Sequence, residues 1–204
     1  LTEDAVTTVY LVRHASYALL GQVLAGRGGD VSLDQTGQLQ AEALAKAFSR
    51  RQRIGAVQSS PRRRAMQTAG PIAERVGRPL EVEHALDEVD FGEWSGRRFV
   101  ELACDPRWRA WNESRSKERA PGGESMAEVQ TRVVAHLERV RDRGPEGIVV
   151  VVSHCDVIRA ALLHYRGQPL DAYAGISVPP AAITILRLAH CGHATSAGTE
   201  ATLA

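Results

Sequence analysis

Ile148-Val149-Val150-Val151-Val152-Ser153-His154 is the stretch that decides the fold. Five β-branched residues in a row leave no polar face to turn toward water. That is the pattern of a central strand covered on both sides, as in a parallel sheet packed between helices. The run ends abruptly on a hydroxyl and an imidazole. Val6 to Val12 reads V-T-T-V-Y-L-V, a second strand, and ends as abruptly on Arg13 and His14. Ile54 to Gln58 is a shorter third, and Leu80–Val82, Ile176–Val178 and Ile183–Leu188 are further candidates.

Helical patterns alternate with these strands. Thr36 to Arg51 places Leu39, Ala43, Leu44, Ala47 and Phe48 on one face. Ser59-Ser60-Pro61 opens a helix that runs to about Val76, with a gentle interruption expected at Gly70-Pro71. Glu124 to Arg143 puts Val129, Val133, Leu137 and Val140 on one side, and Val157 to Tyr165 is a last helix. This alternation predicts an α/β protein, a three-layer α/β/α sandwich with a mostly parallel central sheet. Residues 97–119 are polar with Trp108 and Trp111 interspersed, and read as a lid insertion of helical excursions over a site. The small, polar tail 189–204 is expected to fray.

The chain has 204 residues, 44% hydrophobic, which is enough for one domain with a sizeable core. Its net charge of +1 points to neither a nucleic-acid binder nor a disordered chain. No apolar run suits a membrane span, and no signal-peptide pattern opens the chain. The first residue is Leu1 rather than Met, so a removed export signal stays open. Cys104, Cys155 and Cys191 are few and scattered, which favours a reducing, cytoplasmic setting over a disulfide framework.

Open α/β sheets bind ligands at the carboxyl ends of their strands. Here those ends deliver Arg13-His14, Ser153-His154, and Ser59-Ser60-Pro61 followed by Arg62, Arg63 and Arg64. Arginine forks and helix N-termini both favour anions, so the natural ligand of this edge is a phosphate. Zinc would want further ligands at metal spacing, and neither H-x-x-x-H nor C-x-x-C is present. Cys155 lacks a following phosphate-cradling loop, and no G-x-S-x-G supports a serine hydrolase. No metal and no cofactor are expected.

Five ordered elements carry a family resemblance. Leu11-Val12-Arg13-His14-Ala15 resembles the R-H-G or R-H-A signature of the histidine phosphatase (phosphoglycerate mutase-like) superfamily. The stretch from Ser59 to Ala69 is similar to its S-S-x-x-x-R-A-x-x-T-A helix start, and Leu86 to Gly96 to its L-x-E-x-x-F-G-x-W-x-G loop. Pro121-Gly122-Gly123-Glu124-Ser125 and Val151-Val152-Ser153-His154 with Val157-Ile158-Arg159 resemble two more. The resemblance implies that His14 is the nucleophile that becomes phosphohistidine. It implies that Arg13 and Arg64 hold the phosphoryl oxygens, with His154 doing the same as a cation or positioning His14. Glu88 is implied as the general acid and base, with a pKa raised by desolvation beside Phe91 or Trp94. Asp87, Asp90 and Glu93 read as solvated loop carboxylates.

The sequence departs from the family at Ala15 and at Pro179-Pro180-Ala181. It also departs at Cys155-Asp156, where a negative charge is expected to turn away or to support an arginine. Ser16 and Arg27 are candidate substrate-binding residues. The short chain and the missing W-N after the first motif favour hydrolysis of a small phosphorylated metabolite. The alternatives are a 2,3-bisphosphoglycerate-dependent phosphoglycerate mutase, a protein phosphohistidine phosphatase and a non-enzymatic phosphate-binding module. A homodimer is left open.

Overall fold

β1 (Val6–Arg13) lies inside a six-stranded sheet with β2 (Ile54–Ser59), β3 (Leu80–Val82), β4 (Ile148–Ser153), β5 (Ile183–Ala189) and β6 (Ser196–Thr199). The strand order is β3-β2-β4-β1-β5-β6. The first four run parallel, β5 is antiparallel to β1, and β6 is antiparallel to β5. The computed structural model describes residues 6–29, 31–51, 53–143, 147–189 and 196–199.

Alternation along the two central strands builds two cores. Val9 and Leu11 of β1 join Val149 and Val151 of β4 on one face, and Tyr10 and Val12 join Val150 and Val152 on the other. The first face is covered by α5 (Met126–Arg143) and α6 (Cys155–Tyr165), and the second by α1 (Gln35–Ser49) and α2 (Arg63–Val76). The valine run is therefore apolar throughout because it meets helices on both sides. Val149 to Val152 are each at most 1% exposed, and such burial is worth about 1.5 kcal/mol or more per side chain. The expected three-layer sandwich with a mostly parallel sheet is what the chain forms.

Several local readings change. α2 continues through Gly70-Pro71 without the expected interruption. Ile176–Val178 is not a strand, because guanidinium groups take its carbonyls: Arg159 Nε donates to Ile176 O (2.7 Å) and Arg13 Nη1 to Val178 O (2.7 Å). Within the tail expected to fray, Ser196–Thr199 pairs with β5 as an edge strand, a role that asks only for backbone groups. His190-Cys191-Gly192-His193 lies outside the described residues. The 97–119 segment contributes α3 (Phe99–Leu102) and α4 (Pro106–Glu113), whose Trp111 is fully buried against Trp94 and Phe91.

Register aligns the strand ends. Arg13 pairs with Ser153, and Ser59 with Val152. Just beyond, His14 N–H donates to Ser153 O (2.9 Å) and Ser60 N–H to Val152 O (3.0 Å). The groups that follow these strands therefore emerge side by side.

Candidate active site

His14 and His154 leave β1 and β4 with ring centroids 5.2 Å apart, and both are buried. His14 Nδ1 lies 2.8 Å from the Ala15 carbonyl. A carbonyl can only accept, so Nδ1 carries the proton and Nε2 keeps its lone pair. Burial, then the Arg64 and Arg13 charges, hold the His14 pKa well below the usual histidine range. The loop bearing it is fixed from both sides. Ala15 N–H donates to Thr68 Oγ1 of α2 (3.0 Å), and Ser16 N–H to Gln40 Oε1 of α1 (2.9 Å).

Ser16, an expected substrate contact, has its hydroxyl turned toward the start of α1. Its hydroxyl donates to Asp34 (3.0 Å), the residue that caps α1 by accepting from Gly37 N–H (2.7 Å). A Cβ on Gly37 would stand 2.0 Å from Ser16 O, so only glycine lets α1 press this closely on the nucleophile loop. Ser16 thus joins the loop to the helix.

Arg64 reaches in from the first turn of α2 and is 1% exposed. Its Nη2 lies 3.0 Å from Gly26 O, 3.2 Å from His154 Nδ1 and 3.4 Å from Glu88 Oε2. Guanidinium can only donate, so His154 Nδ1 accepts, and its proton sits on Nε2, 2.7 Å from Ser60 Oγ. Burial, then the charge of Arg64, push the His154 pKa well down. The expected cation is therefore a neutral imidazole here, because burial penalises its charge and Arg64 adds to that penalty.

Glu88 completes the group. Its side chain is 13% exposed and its Oε2 lies 3.3 Å from His154 Nδ1. Burial raises its pKa to about 7, against the opposing pull of Arg64 and with help from Asp156. Its position is held from behind. Arg27 Nε (2.8 Å) and Arg132 Nη2 (3.1 Å) both donate to the Glu88 carbonyl, and Glu88 N–H donates to Asp87 (2.7 Å).

Arg27, an expected substrate contact, is drawn to Glu124 (2.9 Å), Asp87 (3.5 Å) and Asp90 (3.7 Å), an acidic cluster. One expectation is corrected here. Asp87 is 5% exposed rather than solvated; it accepts from Glu88 N–H, and its carboxylate lies 2.8 Å from Arg62 Nε in an ion pair.

A cavity of about 420 Å³ opens on Arg13, His14, Tyr17 and Glu88. Beyond them it is lined by the apolar Leu20, Val23, Leu24, Phe99 and Trp108, and by Asn112, Arg115, Asp156, Arg159 and Tyr173. Phe99, Trp108, Asn112 and Arg115 all come from residues 97–119. Asn112, Arg115 and Tyr173 belong to no quoted motif, although Trp108, Trp111 and Arg115 share a helix-like spacing that hints at a common face. Burial raises the Cys155 thiol to about 11, which suits a wall residue and not a thiolate nucleophile. No cluster suited to a metal occurs among the described residues, and none of their helices is long and apolar enough to cross a membrane.

Phosphoserine phosphatase 1 of Hydrogenobacter thermophilus is 34% identical over 161 residues, 78% of this chain and 76% of that protein. A mycobacterial glucosyl-3-phosphoglycerate phosphatase structure superposes with a TM-score of 0.77 at 28% identity, covering 89% of this chain and 90% of its own. A Bacillus stearothermophilus protein shares the fold with a TM-score of 0.86 at 22% identity, covering 97% and 98% of the two chains. The protein is an enzyme of the phosphatase class. It belongs to the histidine phosphatase superfamily (branch 1), whose family model matches residues 9–198.

Proposed function

We propose that the protein hydrolyses a small phosphomonoester through a phosphohistidine on His14. The observation that carries this reading is the Nδ1 contact to Ala15 O, which leaves the Nε2 lone pair for attack. Nε2 attacks phosphorus as the P–O bond to the leaving alcohol breaks. Protonated Glu88 gives its proton to that oxygen. The phosphorylated imidazole is positively charged, and its Nδ1–H stays on the Ala15 carbonyl. Glu88, now a carboxylate, takes a proton from water. The water oxygen attacks phosphorus, the N–P bond breaks, inorganic phosphate leaves, and neutral His14 and protonated Glu88 return. Arg13 and Arg64 hold the non-bridging oxygens through both steps, and neutral His154 positions Arg64 by accepting from its Nη2.

The test is hydrolysis of 4-nitrophenyl phosphate with EDTA present, by wild type and His14→Ala. Loss of at least about a thousandfold in kcat/KM is expected for the variant, together with acid-labile phosphate trapped on the wild type alone. Full activity in His14→Ala would overturn the reading. Inactivity of both proteins would favour a primed mutase or a binding role.

A further inference from the structure

Asp156 puts a carboxylate in the wall of a cavity built to receive an anion, and phosphoryl transfer at His14 makes no use of it. It follows Cys155 at the first turn of α6 and lines the cavity. Its Oδ2 lies 3.2 Å from Arg115 Nη1, its Oδ1 accepts from the Tyr173 hydroxyl, and Arg159 Nη1 lies 3.9 Å away.

These contacts leave Arg115 heavily committed and Arg159 partly so. Arg115 is held at one terminal nitrogen by Asp156 and at the other by Asn112 Oδ1 (2.7 Å). Its guanidinium carbon lies 3.8 Å from the Trp111 ring centroid and 3.5 Å from that of Tyr173. Arg159 gives its Nε to the Ile176 carbonyl (2.7 Å) and lies over the same Tyr173 ring at 4.4 Å. A second anionic group on a substrate would find both terminal nitrogens of Arg115 taken and would meet the Asp156 carboxylate beside them. The same cavity is also lined by the apolar side chains of Leu20, Val23, Leu24, Phe99 and Trp108. An uncharged alcohol can lay carbon on these side chains and hydroxyls on Asn112, Asp156 or Tyr173.

We propose that Asp156 is a specificity-determining residue that selects phosphomonoesters with an uncharged, amphipathic leaving alcohol and discriminates against leaving groups bearing a second anion. The proposal rests on the phosphatase reading above. Rejection comes from the negative partner already in place, a repulsive element that specificity commonly requires.

Glycerol 3-phosphate and 3-phosphoglycerate test it, since the second replaces a neutral CH₂OH by a carboxylate. Wild type is expected to favour glycerol 3-phosphate by about tenfold or more in kcat/KM, and Asp156→Asn to bring that ratio close to one. Asp156 also bears on the proton affinity of Glu88, but an effect through Glu88 moves both esters together and leaves the ratio in place. Should Asp156→Asn fold poorly, Arg159→Gln makes the wall more negative and is expected to deepen the preference. Wild-type preference for 3-phosphoglycerate, or a ratio indifferent to both variants, overturns the proposal. If wild type turns over neither these esters nor 4-nitrophenyl phosphate, the phosphatase reading fails and this proposal falls with it. Turnover of 4-nitrophenyl phosphate with the wrong ester ratio refutes the Asp156 role alone.

Discussion

Replacing Glu88 by glutamine is expected to remove activity while making the protein relatively more stable as pH rises. Burial raises the folded-state pKa of Glu88 to about 7, from an ordinary carboxylate value near 4.5. A carboxyl whose folded pKa is raised favours the folded state while protonated. Its contribution is fully present below the unfolded pKa and is lost as pH climbs through the folded one. Each unit of difference corresponds to about 1.4 kcal/mol. Between pH 5 and pH 8 the wild type should therefore lose about 2.5 kcal/mol relative to Glu88→Gln. Other titrating groups, His14 and His154 among them, are common to both proteins, so their share largely cancels in the difference. Urea unfolding of both proteins at pH 5, 6.5 and 8 reads the effect directly, with kcat measured alongside. Parallel stability curves would refute the reasoning, because they would mean that Glu88 titrates as an ordinary carboxylate.

Glu88 also sets the alkaline side of the rate profile. For an alkyl ester such as glycerol 3-phosphate, kcat/KM should fall about tenfold per pH unit above about 7, as the acid form is lost, and a rise from pH 7 to 9 would contradict its role. Arg27→Met is expected to cost about 2 kcal/mol of stability and to lower kcat with little change in KM, since Arg27 acts through the Glu88 carbonyl and its acidic cluster. Raised KM with unaltered kcat would restore it as a substrate contact.

How much of this was legible in the sequence varied with the kind of information each feature needs. The valine run Val149–Val152 was readable because burial on both faces depends only on local composition. His14, His154, Arg13 and Glu88 could be singled out because each sits at a strand end or in a loop of recognisable pattern. The partners of Arg27 were not legible, since they come from positions 87, 90 and 124, and nothing local says which way a long side chain will reach. The partner of Ser16 was hidden for the same reason, its hydroxyl donating to Asp34 across a loop. The low pKa of His154 comes first from burial and then from Arg64, its neighbour in space but 90 positions away in the chain, and neither is a local feature. Asp156 supporting an arginine was anticipated, but that the arginine would be Arg115 required the lid segment to be placed.

The shared register of β1 and β4 makes catalysis a reporter of folding. Arg13 and Ser153 are paired across 140 positions of chain, and His14 and His154 meet only when that pairing is complete. No locally folded fragment brings both imidazoles together. Recovery of turnover during refolding should therefore lag behind helix formation and coincide with closure of this long-range ladder, which gives a simple activity assay the power to time the slowest topological step.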